Sequence, residues 1–414
     1  MTRRRVVLAL VALVFLGAAG AAAAWWWNER QTHDVRGSST REFMTTEETT
    51  TRAKEQIETE PWPIYGLTPQ RTRNAVEFHH RPPYRRRWVV NGRGLLEFPP
   101  VIAYGRLYFA DMHGDFFSVD AKTGKLVWHR DLGYISAASP AVGDGVVYQP
   151  LMNPRGAERG ASSGLVVALD AETGKEIWRF RTGAVESSPL LVDGTLYFGT
   201  FDHRLYALDP ETKHVRWSFQ TADRVKGGPA YWHGTVYTGS YDGKVYALDA
   251  RRGKLRWSSK SQAGLFGAGN FYAGPAVAYG RVYIGNTDGK VYAFGAQSGH
   301  LLWAKTTGNY VYSSAAVADR LVFVGSYDGH LYGLDAATGD VKWSFDAKGP
   351  ISGSPTVMSG LVYFSTFTDK TFALDERTGK PVWTFPDGRY TAMVADEDRV
   401  YIVGHTKLYA FIGR

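Results

Sequence analysis

The stretch VYALDARRGKLRW, Val245 to Trp257, recurs with variation along most of the chain. Its other copies read FFSVDAKTGKLVW, VVALDAETGKEIW, LYALDPETKHVRW, VYAFGAQSGHLLW, LYGLDAATGDVKW and TFALDERTGKPVW. The seven end at Trp128, Trp178, Trp217, Trp257, Trp303, Trp343 and Trp383, with intervals of 50, 39, 40, 46, 40 and 40 residues. Upstream of each lies a second pattern, such as ESSPLLVDGTLYFGT or SGSPTVMSGLVYFST. β-Branched and aromatic residues broken by Asp-Gly and Thr-Gly read as short strands joined by hairpins, because these turn residues accept the positive φ of a tight turn. Each repeat then holds four strands, carrying SSPxV, GxVYxG, VYALD and KxxW in that order. Four-stranded units recurring at about 40–45 residues are the signature of a β-propeller blade.

The chain ends complete the count. YTAMVADEDRVYIVGHTKLYAF, just before Arg414, supplies three strands and stops. YRRRWVV supplies an orphan fourth strand whose Trp88 precedes Trp128 by one repeat length, 40 residues. An eighth blade made from both ends closes the ring and removes open sheet edges. The expected fold is all-β: an eight-bladed β-propeller from about Arg85 to Arg414, with Trp88 and the seven repeat tryptophans in one structural ladder. The 46 glycines and the 14% aromatic content are the turns and ladder of such a ring. The WD dipeptide of another propeller class is missing from the repeats.

Before the ring the composition changes twice. Arg3, Arg4 and Arg5 precede 22 uncharged residues, Val6 to Trp27, ending in Trp25, Trp26 and Trp27. About 20 apolar residues span a bilayer, arginines favour the cytoplasmic side, and tryptophans favour the interface. Residues 1–27 are therefore expected to be a cytoplasmic tip and single-pass transmembrane signal-anchor in the cell membrane, with the propeller extracytoplasmic. A cleaved signal peptide with its site among Ala21–Ala24 is the alternative. Residues 28–60, rich in Thr, Ser and Glu, are expected to be a flexible linker with room for a short helix around Arg52–Ile57. Residues 61–84 form a lead-in segment. The absence of cysteine excludes disulfides, thiolate metal sites and cysteine nucleophiles. The net charge of +8 permits an anionic partner. Arg81, Arg85, Arg86, Arg87 and Arg93 cluster where the ring begins; they read as a contact for anionic lipid or wall polymer, or as a solvated rim.

The repeated AxDxxTGxxxW resembles the tryptophan-docking motif of the PQQ-like (quinoprotein-type) propeller repeat family, over about four-fifths of the chain. WPIYGLTPQRTRNA, Trp62–Ala75, is similar to the WPxxxxxxxRTG lead-in of such propellers. The resemblance implies that each tryptophan packs between neighbouring blades. It also implies one of two roles: dehydrogenases that hold pyrroloquinoline quinone (PQQ) and calcium in the central channel, or non-catalytic BamB-like envelope scaffolds. Related propellers serve as outer sensor domains. Two copies depart from the motif: Gly295 stands where six repeats have aspartate, and Lys213-His214 stand in place of the Thr-Gly hairpin. The vicinal cysteine pair typical of the dehydrogenases is missing, as are their larger insertions.

Candidate site residues come from columns. Three residues before the conserved proline of the first strand stand Glu97, Ala137, Glu186, Lys226, Tyr272, Tyr312, Ser352 and Tyr390. Five before it stand Leu95, Ile135, Ala184, Arg224, Asn270, Tyr310, Pro350 and Gly388, facing the same way because strands alternate faces. Two carboxylates with a lysine beside one make a poor calcium cage. The columns instead place Glu186, Arg224 and Lys226 on one side of a channel mouth and Tyr272, Tyr310, Tyr312 and Tyr390 on the other. This arrangement reads as a partner or ligand mouth, or as a funnel in which Glu186 pairs with Lys226 and the tyrosines surround water. Two inserts, Gln149–Gly164 and Lys260–Asn270 with Leu265 and Phe266, fall on connections of one face, either as partner anchors or as tolerated loop growth. No HExxH or phosphate loop is present. The expected function is a monomeric, non-catalytic scaffold without cofactor, binding envelope proteins or an anionic envelope polymer and no nucleic acid. The alternatives are a PQQ-dependent oxidoreductase using calcium, and a ligand sensor acting with a separate signalling protein.

Overall fold

The short first strands of the repeats are buried apart from Leu191, Val192 and Tyr231, and the fourth strands carry most of the exposure, which sets the radial direction of the blades. A computed structural model describes residues 17–18, 20–22, 33–46, 52, 54–157, 163–262, 269–390 and 393–413. Among them, 32 strands form eight separate four-stranded antiparallel sheets. Blade four is representative: Ala230–Trp232, Thr235–Gly239, Lys244–Asp249 and Leu255–Lys260 pair in sequence order. Blades one to seven are built in this way. In blade eight, Tyr84–Asn91 is the outer strand and pairs with Lys407–Gly413, Trp88 opposite Ala410, with a bulge between Arg86 and Trp88. The ring is closed by both ends of the chain, as the repeat count implies.

The tryptophans fasten blade to blade. Trp257 packs on Tyr237 of its own blade, and both donate to one carbonyl of the next: indole Nε1 and the tyrosine hydroxyl reach Ala296 O at 2.9 and 3.1 Å. One carbonyl oxygen has two lone pairs and satisfies both donors. Trp88, Trp128, Trp178, Trp217, Trp303 and Trp343 make the same indole bond, to Ala121, Ala171, Pro210, Ala250, Ala336 and Glu376. The ring of Trp217 lies over Gly253 of the next docking turn, whose φ is +67° and where a Cβ would collide with the indole. In the third docking motif, Thr212 keeps the threonine place and bonds Asp209, so only the glycine is replaced, by Lys213 at φ +61°. That corrects the expectation that Lys213-His214 displace the Thr-Gly pair. The eighth tryptophan behaves differently. Trp383 faces the closing blade, which has no docking turn, and packs against Tyr84 and Phe385; the Tyr84 hydroxyl meets that of Tyr363 at 2.8 Å. The ladder therefore has seven indole–carbonyl rungs among the described residues, with an aromatic seam at the closure.

The lead-in circles the inside of the ring. It bonds the first strands of blade one through Trp62, two through Pro63, four through Pro69, five through Gln70, six through Thr72 and seven through Arg73 and Ala75. At its centre the fully buried Arg71 donates to Pro229 O (2.5 Å), Ser188 O (2.9 Å), Pro189 O (3.1 Å) and Tyr65 O. Burial, with Arg73 close by, pulls its pKa down to about 9. The lead-in thus floors the channel.

Part of the expected flexible linker is not free. Residues 33–46 lie along blades five and six as a strap, and a helix follows at Lys54–Thr59. Val35 and Ala304 exchange backbone hydrogen bonds at 2.9 Å, Arg36 pairs with Asp340 at 2.7 Å, and Phe43 stacks on Tyr279. Arg281, fully buried, donates to the carbonyls of Ser38, Arg41 and Glu42. Glu42 takes up the aspartate function missing at Gly295: Ser298 Oγ donates to it at 2.5 Å, as Thr123 Oγ1 donates to Asp120 at 2.6 Å. Burial opposes the charge of Glu42, but the hydrogen bonds from Ser298 and His300 outweigh it and hold the carboxyl below its ordinary range. Trp303 beneath the strap is 0% exposed, whereas Trp217, Trp257 and Trp343 are each 9% exposed. A Cβ at Gly295 would meet the Glu42 carboxylate. Gly295→Asp, which restores the repeat pattern, is therefore expected to expel the strap. Trypsin cleavage after Arg36 and Arg41 should accelerate, and an unchanged rate would refute the substitution of one carboxylate for the other.

No helix among the described residues is long and apolar enough to cross a membrane. The expected span, 6–27, lies outside the described residues except at 17–18 and 20–22, which are helical. Leu265 and Phe266 also lie outside them.

Candidate functional site

The connections that carry the two sequence columns dip toward the ring axis before each first strand, and turns between second and third strands hold them there. Phe201 N–H donates to Ala184 O, Tyr241 to Arg224, Tyr327 to Tyr310 and Phe367 to Pro350. Both columns therefore gather at one face. Of the seven mouth residues, Glu186, Lys226, Tyr272, Tyr312 and Tyr390 line one central cavity with Glu97, floored by Tyr65. About 60 Å³ of it is open to water centres, several times the ~10–15 Å³ one water needs. Arg224 and Tyr310 stand at the exposed rim, Arg224 over the Phe201 ring at 5.0 Å and Tyr310 tilted against Tyr312 at 5.9 Å.

Inside, Lys226 Nζ lies 3.0 Å from Glu186 Oε2, and Tyr272 donates to Glu186 Oε1 at 2.7 Å. The ammonium also sits over Phe201, Tyr241 and Tyr272 at 4.8, 5.0 and 5.4 Å, a cation held on ring faces. Burial and the Glu186 carboxylate drive the Tyr272 hydroxyl far above its ordinary pKa, so it stays a donor. Opposite, rings run unbroken across the mouth: Tyr272–Tyr312 at 4.8 Å, Tyr312–Tyr327 at 4.9 Å, Tyr327–Phe367 at 5.5 Å and Phe367–Tyr390 at 5.1 Å. Most meet edge to face, the favoured geometry for aromatic pairs. Phe201, Tyr241, Tyr327 and Phe367 were missed by the two columns. They form a third, two residues beyond the end of each second-strand core (FGTFD, TGSYD, VGSYD, FSTFT), and the recurrence of an aromatic there is the signal.

Elsewhere on the ring, Arg85, Arg86 and Arg87 are exposed on the outer strand of blade eight, while Arg93 reaches Asp115 at 3.5 Å.

A family model described as "Outer membrane protein assembly factor BamB" matches residues 80–153, 158–264 and 207–411, nearly the whole ring. The chain belongs to this PQQ-like repeat family. Curated relatives fall on both of its branches. Quinohemoprotein alcohol dehydrogenase ADH IIB of Pseudomonas putida is 32% identical over 142 residues, 30% of this chain and 19% of that protein. BamB of Burkholderia pseudomallei is 30% identical over 129 residues, 31% of each. The matched stretches thus span a fifth to a third of the relatives' lengths. Among solved structures, the quinohemoprotein alcohol dehydrogenase of Comamonas testosteroni superposes with a TM-score of 0.71 at 15% identity, covering 88% of this chain and 82% of that one. BamB of Moraxella catarrhalis superposes with a TM-score of 0.63 at 17% identity, covering 80% and 99%. Both likenesses are of fold.

PQQ-like propellers of the dehydrogenase branch would place a quinone and calcium in this channel. Calcium takes six to eight oxygen ligands, carboxylates prominent among them. Here Glu186 is already neutralised by the Lys226 ammonium at 3.0 Å. Burial, then the Glu186 charge, pushes the Glu97 carboxyl up to about 7. Two carboxylates, one of them already paired with an ammonium, do not make a calcium cage, and the residues present do not fit that centre.

Proposed function

We propose that this chain is a non-catalytic interaction scaffold of the cell envelope. Its N-terminal apolar segment anchors it in the membrane with the ring extracytoplasmic, and a single rigid ring presents its loop-bearing face to envelope proteins or to an anionic envelope polymer. The observation that carries this reading is the Lys226–Glu186 pair, which gives one of the two channel carboxylates an internal cation where a catalytic centre would need ligands for an external one. The BamB-type family match supports it, and the exposed Arg85, Arg86 and Arg87 supply a surface for an anionic polymer. The stretches shared with quinohemoprotein alcohol dehydrogenases favour a second reading, a PQQ-dependent oxidoreductase.

One titration separates the two. Adding PQQ and calcium to the purified full chain is expected to give no stoichiometric absorbance change and no alcohol-dependent dye reduction. Either signal overturns the scaffold reading. Crosslinking in intact cells, followed by capture from the membrane fraction, is expected to return a defined envelope partner. Recovery of the chain in the soluble fraction alone would remove the anchor from the proposal.

A further inference from the structure

The mouth holds two carboxylates, and the protein supplies a cation to one of them. Glu186 has Lys226, and the ammonium is boxed by the faces of Phe201, Tyr241 and Tyr272. Glu97 lines the same cavity beside Tyr272, Tyr312 and Tyr390. Burial raises the hydroxyls of Tyr272 and Tyr327 above all, and the Glu97 charge adds to that rise. Among the described residues no hydrogen bond or ion pair reaches its carboxylate. The rim arginines are engaged elsewhere: Arg224 lies over Phe201, and Arg389 lies over Phe367 and pairs with Asp369 at 3.2 Å.

Glu97 is half-buried, so its carboxylate is partly desolvated without a protein partner, and the side chains around it decide which partner fits. Ring faces attract cations through their quadrupole but give a hard metal ion few oxygen ligands. An ammonium uses both features: its N–H groups bond the carboxylate, and its charge and first methylenes rest on the rings. Lys226 already demonstrates this arrangement on the other side of the cavity.

We propose that the channel mouth binds an aliphatic primary ammonium group, seated between Glu97 and the rings of Tyr272, Tyr312 and Tyr390. The group comes either from a free amine or from a lysine side chain. This goes beyond the scaffold reading and does not depend on it.

The test uses the purified full chain and three probes of matched length: n-butylammonium, Nα-acetyl-lysine methylamide and neutral n-butanol, titrated by calorimetry or ligand-observed NMR. At least one ammonium should bind, and more tightly than butanol by at least about tenfold, because a desolvated cation–π and charge-assisted contact exceeds that factor. Butylammonium alone identifies a free amine, and the lysine amide binding as well or better identifies a side chain. Glu97→Gln should weaken the bound ammonium about tenfold or more, and Tyr390→Leu should weaken it while the thermal unfolding profile still reports a folded ring. Equal binding of butanol, no saturable binding of either ammonium, or unchanged affinity in a folded Glu97→Gln overturns the proposal. PQQ titration and partner capture do not involve Glu97, so the scaffold reading stands or falls separately.

Discussion

Arg71→Met is expected to destabilise the ring by about 3 kcal/mol and to release the lead-in from the channel floor. Two large effects compete. Removing a buried guanidinium relieves a desolvation cost of several kcal/mol, and the lowered pKa of Arg71 shows that this cost is present. Against it, the carbonyls of Tyr65, Ser188, Pro189 and Pro229 each lose a charged donor. A hydrogen bond to a charged group contributes about 1.5–3 kcal/mol, so four lost bonds outweigh the relief. Water cannot replace them, because the site is fully buried. The loss concerns more than one blade: the acceptors lie on the lead-in and immediately before the first strands of blades three and four. Arg71→Lys should recover only part of the loss, since an ammonium has three donors on a flexible stem and cannot reproduce the planar fork. Urea unfolding and proteolysis within residues 61–84 read both consequences. A variant as stable as the parent, with the lead-in still protected, would refute this account of the channel floor.

How much of this was legible in the sequence follows from where the information sits. The blade count and the closure by both ends were readable because tryptophan, glycine and the aspartate turns recur at one period, and only four strands per period fit. The cavity residues were readable because first strands share a register, so fixed distances from a proline become positions around an axis. The lead-in path was not readable. It pairs through main-chain groups of Trp62, Pro63, Gln70 and Thr72, which leave no side-chain pattern. The strap was hidden for a different reason. Its Thr, Ser and Glu composition is that of a disordered segment, yet Val35, Glu42 and Phe43 are enough to dock it because blade five is incomplete at Gly295. The motif departure was the visible trace of that contact. Trp383 illustrates the converse: its repeat is regular, but its neighbour is the composite blade, so the usual acceptor is not there.

Glu97→Gln is expected to make the protein more stable at pH 8 by up to about 3 kcal/mol, and to leave it unchanged near pH 4. The carboxyl has its pKa raised from the ordinary 4.5 to about 7 by burial, then by Glu186, with Lys226 acting in the opposite direction; Tyr272 and Tyr327 face it as neutral hydroxyls. Between those two values the folded chain binds more protons than the unfolded chain. Stability is therefore full below about pH 4.5, falls as the pH rises through about 7, and is level above it. Glutamine does not ionise, so that loss disappears in the variant. Glu376, buried beside Asp319 and also raised to about 7, contributes a loss of the same sign in the same window. The variant should consequently show a shallower slope rather than none. Urea midpoints at pH 4, 6 and 8 measure it. The same substitution is expected to weaken ammonium binding, so stability and binding should move in opposite directions. A residue with a merely structural role would lose both together. Glu97→Gln proving less stable than the parent at pH 8 would mean that a protein group satisfies the carboxylate, and both the pH prediction and the ammonium seat would fail together.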